Sequence, residues 1–170
     1  AGGGSAALVA DLAAGEDVLA RAPRAEWTAF AADYGLRPEG DLPARLAAET
    51  ASPRGSALGS FLDLVAAELT ARGLEVGRLP LLLVPTALLR DAGDPGYPHF
   101  LVTWNNVVVE RRRGSLRAEG FASLLPTGDA RAAAAYTALG ARLELLPPLV
   151  ESVVRNGGYR CASNHLRHPR

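Results

Sequence analysis

The chain has 170 residues, 48% of them hydrophobic, and its eighteen basic and eighteen acidic side chains leave no net charge. That length supports one domain with a real core, and balanced charge with no basic tract interleaved with aromatics excludes a nucleic-acid partner. No apolar run reaches the roughly 20 residues of a membrane span, and one cysteine excludes both an internal disulfide framework and a multi-cysteine metal site.

Every basic residue other than histidine is arginine, and lysine, isoleucine, methionine and glutamine are absent, which reads as the codon bias of a GC-rich, bacterial genome. The opening Ala1-Gly2-Gly3-Gly4-Ser5 lacks an initiator methionine and any signal-peptide pattern. It is expected to belong to a processed chain or to a piece of a longer one. A cytoplasmic location is the weak default.

Taken in order, Ser5 is placed to cap a helix carrying Leu8, Val9 and Leu12 and ending near Gly15. Pro23 to Tyr34 has Trp27, Phe30, Ala31 and Tyr34 at helical spacing, with Gly35 as its stop. Those aromatics are expected to pack in a core rather than form a ligand box, because an amphipathic helix needs that spacing. A loop marked by Pro38, Gly40 and Pro43 leads to a short helix over 44–49. Residues 1–50 thus read as a helical segment of uncertain assignment. After a break at Ser52-Pro53-Arg54-Gly55, Leu58, Phe61, Leu62, Val65 and Leu69 mark the apolar face of a helix that Gly73 ends.

Pro80 to Pro85 is apolar on both faces and predicts a buried strand. A loop over 91–98 follows. Phe100 to Trp104 and Val107 to Val109 are strand-like, and Asn105-Asn106 between them reads as a tight turn, with a polar site as the alternative. Arg111-Arg112-Arg113 reads as a solvated face in preference to an anion patch. Phe121 to Leu125 is expected as a short strand. A helix from Pro126 carries Ala132, Ala135, Tyr136 and Leu139 and is closed by Gly140. Leu143 to Leu146 is a strand, Pro147-Pro148 a break, and Leu149 to Val154 a helical turn.

The chain then reaches its most chemically suggestive stretch, Arg155-Asn156-Gly157-Gly158-Tyr159-Arg160-Cys161-Ala162-Ser163-Asn164, expected to end on a strand carrying the sole cysteine. A thiol is a good nucleophile at neutral pH only where positive charge or backbone N–H groups favour the thiolate. Arg155 and Arg160 offer that charge, and Gly157-Gly158 allow a substrate close to the backbone. Against this stands the ordinary fate of a lone cysteine, which is to be a small buried hydrophobe.

This stretch resembles the C-terminal catalytic strand of the guanidino-group-modifying, or pentein, superfamily, and within it the protein-arginine deiminases. The shared pattern is Arg155, Asn156, Gly157, three residues to Cys161, Ala162, Ser163, Asn164 and then Arg167. The resemblance covers roughly residues 55–168 and implies an α/β fold, a partial pentein propeller of about two ββαβ modules out of five. Residues 55–170 would carry the C-terminal modules of a longer catalytic domain. It implies Cys161 as nucleophile and Arg155 as the holder of the substrate's peptide backbone, with Asn106, Gly157, Gly158 and Asn164 also at the substrate. The partner is then an arginine-containing protein or peptide. No resident cofactor is implied; calcium stays open, since the calcium sites of animal deiminases draw on regions outside this chain.

In that family a thiolate adds to a guanidinium carbon clamped by two carboxylates, and a histidine serves the departing nitrogen. No His-x-Asp pattern precedes residue 99 here. His99 reads as a surface residue, and His168 belongs to a basic tail. His165, four residues beyond Cys161, is about 13 Å away along an extended strand. Two alternatives stay open. The first is an amidinotransferase or small-molecule guanidine deiminase, favoured by Gly157-Gly158. The second is a non-enzymatic binding domain with an incidental cysteine.

Overall fold

The computed structural model describes residues 5–37, 40–90, 96–112 and 115–155. It is a mixed α/β chain built around two three-stranded sheets. Among the described residues no closed barrel or propeller is formed.

The first sheet has β2 (Glu75–Pro85) at its centre, flanked by β1 (Ala6–Asp11) and β3 (His99–Thr103). β1 runs parallel to the first half of β2, from Ala6 opposite Glu75 to Asp11 opposite Pro80. β3 runs antiparallel to the second half, from Leu81 opposite Thr103 to Pro85 opposite His99. Between β1 and β2 the chain makes four helices: α1 (Leu12–Arg21), α2 (Arg24–Asp33), α3 (Leu42–Thr50) and α4 (Pro53–Ala71). The second sheet orders β4 (Val108–Arg112), β5 (Ser115–Phe121) and β6 (Ala141–Leu146), with α5 (Pro126–Ala138) as the crossover between parallel β5 and β6. A short α6 (Val150–Val154) follows.

β2 is buried on both faces, as its unbroken apolar run requires. Leu82 and Val84 join a core with Val18, Phe30, Phe100, Ala132 and Tyr136, while Leu81 and Leu83 face Ala10 and Leu12, with Leu58 and Leu62 of α4 against them. α1 lies so close to β2 that a Cβ on Gly15 would stand 2.1 Å from the Leu81 carbonyl oxygen. The N-cap residue of α5 is Leu125, which supplies no side-chain cap. Glu26 of α2 fills that role from far upstream: its carboxylate accepts from the Thr127 backbone N–H at 3.0 Å and from the Thr127 hydroxyl at 2.9 Å.

Four expectations change. Residues 6–11 form a strand, not the start of a helix, because pairing with β2 buries Val9 and Ala10; the helix cap is Asp11, whose Oδ1 accepts from Ala13 N at 2.8 Å. The segment 1–50 therefore contributes a strand as well as helices. The strand expected over Phe121 to Leu125 lies earlier, at Ser115–Phe121, where Arg117 and Glu119 alternate with Ala118 and Gly120. On α4, Leu58, Leu62, Val65 and Leu69 of the expected stripe are part-buried, with Leu58 and Leu62 facing the sheet, but Phe61 is 60% exposed and lies off it. Finally, Asn105-Asn106 is not a hairpin turn. β3 pairs with β2 and β4 with β5, so the two asparagines carry the chain from one sheet to the other.

Candidate functional site

Where the two sheets meet, a small recess of about 30 Å³, room for about one water, lies off the ends of three strands. Leu101 to Thr103 of β3, Gly120 and Phe121 of β5, and Leu145 of β6 all contribute from their carboxyl-terminal ends. The crossover residues Trp104, Asn106 and Val107 form another wall, and Tyr34 and Val153 complete it.

The recess is framed by a polar network centred on one oxygen. Asp129 Oδ1 accepts from the Trp104 indole N–H at 2.6 Å, the Ser123 hydroxyl at 2.8 Å and the Ser123 backbone N–H at 3.0 Å. The Tyr136 hydroxyl donates to the Trp104 carbonyl at 2.8 Å. Trp104 is thus gripped at ring and backbone, with its indole pressed on Gly128, where any Cβ would stand 2.5 Å from the ring. Beside it Leu124 takes φ = 67°, a left-handed conformation that costs a branched residue about 1–2 kcal/mol and here turns the chain from β5 into α5.

Tyr34 behaves differently. It is the C-cap of α2, freed to turn by Gly35 at φ = 63°. Its ring packs against Phe30, 4.4 Å between centroids, and stacks on Phe100 at 5.6 Å. It is 3% exposed, yet its hydroxyl has no hydrogen-bond partner among the described residues, a state that costs about 1–3 kcal/mol. Burial, and secondarily the Asp129 carboxylate, push its phenol well above the ordinary tyrosine value, so the proton is firmly held.

Of the residues singled out from sequence, Asn106 lines the recess, which fits the polar-site alternative. Arg155 is exposed and directly follows α6, whose Val153 reaches the recess and whose Val154 carbonyl accepts from the Tyr97 hydroxyl at 2.7 Å. Cys161, Gly157, Gly158 and Asn164 lie outside the described residues, as do His165 and His168. His99 is not a surface residue. Its side chain is 11% exposed, Nε2 pairs with Glu49 at 2.8 Å, and Nδ1 is 3.5 Å from the Arg54 guanidinium. It opens β3, whereas the recess lies off the other end of that strand. Of Arg111-Arg112-Arg113, Arg111 is exposed, while the Arg112 side chain and Arg113 lie outside the described residues.

Among the described residues no carboxylate lines the recess itself. Its surface is apolar with a few neutral hydrogen-bonding groups, so a guanidinium there would need its charge held by groups from outside the wall. Among the described residues no cluster of three His, Cys, Asp or Glu could hold a metal ion. No described helix is long and apolar enough to cross a membrane. Sequence reasoning missed Ser123, Asp129 and the hydroxyl of Tyr34. An acid in the first turn of a predicted helix was the one available signal, for Asp129. No protein-family model matches the chain, and neither the curated proteins nor the solved structures contain a match.

Proposed function

We propose that the chain is the nucleophile-bearing part of an arginine deiminase acting on protein or peptide arginine, folded as part of a pentein-type propeller. The pattern from Arg155 to Asn164 around the sole cysteine carries this reading. Two structural facts support it. β4, β5, α5 and β6 follow the strand–strand–helix–strand order of a ββαβ module. Asn106 lies on a recess that α6 also borders, and Arg155 follows α6 directly. Cys161 is the sixth residue after Arg155, so the thiol is tethered within about 20 Å of that point.

The chemistry runs in two halves. The Cys161 thiolate adds to the guanidinium carbon, and the carbon–nitrogen bond to the terminal amino group breaks with release of ammonia. A covalent thiouronium remains on sulfur. Water then adds to the same carbon and the thiolate leaves, yielding citrulline. Proton delivery and the carboxylate clamp come from groups outside the described lining of the recess. The Gly157-Gly158 pair favours a second reading, in which a small guanidino compound takes the place of peptidyl arginine.

The test is labelling of Cys161 in the full-length protein by a haloacetamidine that mimics arginine, read by mass spectrometry against plain iodoacetamide. Faster capture by the mimic is expected; equal or slower capture would remove the deiminase assignment. Citrulline formed from a peptidyl arginine and not from free arginine or agmatine selects the first reading over the second.

A further inference from the structure

We propose that the outer face of α4 docks a second copy of this chain, the two helices lying antiparallel about a twofold axis at Phe61. α4 is apolar on two sides. One side carries Leu58 and Leu62 onto the sheet. The other is uncovered among the described residues: Phe61 is 60% and Leu64 69% exposed, the two highest values of the exposed large hydrophobic side chains. At about 100° per residue they share a stripe with Arg54, Ala57, Glu68 and Arg72, all of them exposed.

Two solvent-facing apolar side chains of this size, one turn apart, are what an interface buries. The charges at either end of the stripe say what covers them. Arg54 lies seven residues before Phe61 and Glu68 seven residues after it. A second α4 turned end for end about Phe61 therefore sets its Glu68 opposite Arg54 and its Arg54 opposite Glu68. Leu64 of each copy lands beside Ala57 of the other, large against small. A parallel pairing would instead stack Arg54 on Arg54 and Glu68 on Glu68. Arg72 already pairs with Glu68 at 2.7 Å. In the antiparallel pairing it falls past Pro53, the first residue of the facing helix, and Glu68 stands between it and the incoming Arg54. Asp63, the charge in the middle of the helix, lies off the stripe and pairs with Arg78 of β2 at 2.7 Å.

Area sets the strength. α4 has 19 residues and is about 28 Å long, and one such face against its copy buries less than the roughly 1,200 Å² of a standard complex. The dimer is therefore weak, with a micromolar dissociation constant. The ion pairs fix its register more than its affinity. None of this rests on the deiminase reading.

The experiment is sedimentation equilibrium of the full-length protein from about 1 to 500 µM, the range in which an interface of this size dissociates. The variants are Phe61→Glu, Leu64→Glu, Arg54→Glu, Glu68→Arg and the double variant Arg54→Glu with Glu68→Arg. A monomer–dimer equilibrium is expected. Phe61→Glu, which sets two carboxylates against each other across the axis, and Leu64→Glu should each weaken it about 30-fold or more. Each single charge reversal should weaken it about three- to tenfold, since every contact occurs twice. The double reversal should return the parental affinity, because the pair is remade with its signs exchanged. Thermal unfolding at the lowest concentration checks that each variant is folded; if Phe61→Glu is not, Leu64→Glu decides.

A chain that stays monomeric at the top concentration would leave the stripe to a different protein and overturn the proposal. So would a dimer that both glutamate substitutions leave intact, since it would then form through another surface. A double reversal no tighter than the single ones would overturn the antiparallel pairing about Phe61.

Discussion

Removing the Asp129 carboxylate tests whether the recess is held together as its geometry says. One oxygen accepts from Trp104 Nε1, Ser123 Oγ and Ser123 N. Trp104 is 2% and Ser123 5% exposed, so neither reaches water when the acceptor goes. In Asp129→Ala the Ser123 hydroxyl keeps a second acceptor, the Leu125 carbonyl at 3.3 Å. The indole N–H and the Ser123 backbone N–H do not, and each stranded donor costs about 1–3 kcal/mol. The two share one partner and are not additive, which puts the loss at about 2–4 kcal/mol. For a chain of this size that lowers the unfolding midpoint by about 5–15 °C. Asp129→Asn keeps a neutral acceptor and should lose about 1 kcal/mol. Urea unfolding followed by tryptophan fluorescence reads both quantities, because Trp104 is one of two tryptophans in the chain. An alanine variant within about 0.5 kcal/mol of the parent, with unshifted emission, would refute the role given to this carboxylate.

Other substitutions probe the scaffold. Glu26→Ala removes the acceptor for Thr127 N and Oγ1 and should cost about 1–2 kcal/mol in thermal unfolding; no loss would mean that α5 caps itself. Gly15→Ala and Gly59→Ala, both in helices, should differ in sign. The first drives a methyl into the Leu81 carbonyl and should destabilise by about 1–3 kcal/mol or more. The second meets only Leu12 Cδ1 at 3.6 Å and should stabilise by about 0.5–1 kcal/mol, and equal effects in urea would contradict the packing of α1 on β2. Burial pushes the Tyr136 phenol up to about 12 and Tyr34 higher still, while unfolded tyrosines ionise near 10. The unfolded chain therefore loses protons first, and the stability these two phenols protect is full below about pH 10 and falls as pH rises toward 12. The slope is up to about 1.4 kcal/mol per pH unit for each, and a phenolate absorbance titration with both ionising near 10 would contradict it.

What could be read from the residues alone follows the reach of the signal. The helices over 24–33, 53–71 and 126–138 were legible because their apolar spacing and closing glycines are local features, and the buried strand ending at Pro85 announced itself by its unbroken leucines. β1 was not legible. Its six residues run straight into a helix, and nothing local distinguishes Leu8 and Val9 on a strand from the same pair on a first helical turn. Only the distant partner Glu75–Pro80 decides it. Phe61 misled for the opposite reason: its spacing suits burial, but Leu58 and Leu62 are the α4 pair packed against Leu81 and Leu83, and Phe61 is left exposed. At the site, Asn106 was picked out by resemblance and by its polarity among strands, and it does line the recess. Tyr34 was correctly placed in the core, yet its bare hydroxyl becomes visible only once Phe30, Phe100 and the crossover are in position.

The long excursion between β1 and β2 has a kinetic consequence. Ala6 must wait for Glu75 to be synthesised and in place before the first parallel bond can close, with four helices spooled between them. Helices α1 to α4 can flicker into being early, but they have no floor to settle on until β2 arrives. Assembly of the first sheet should therefore be the slow event in refolding, and a chain truncated before Glu75 should hold helices without any fixed arrangement among them.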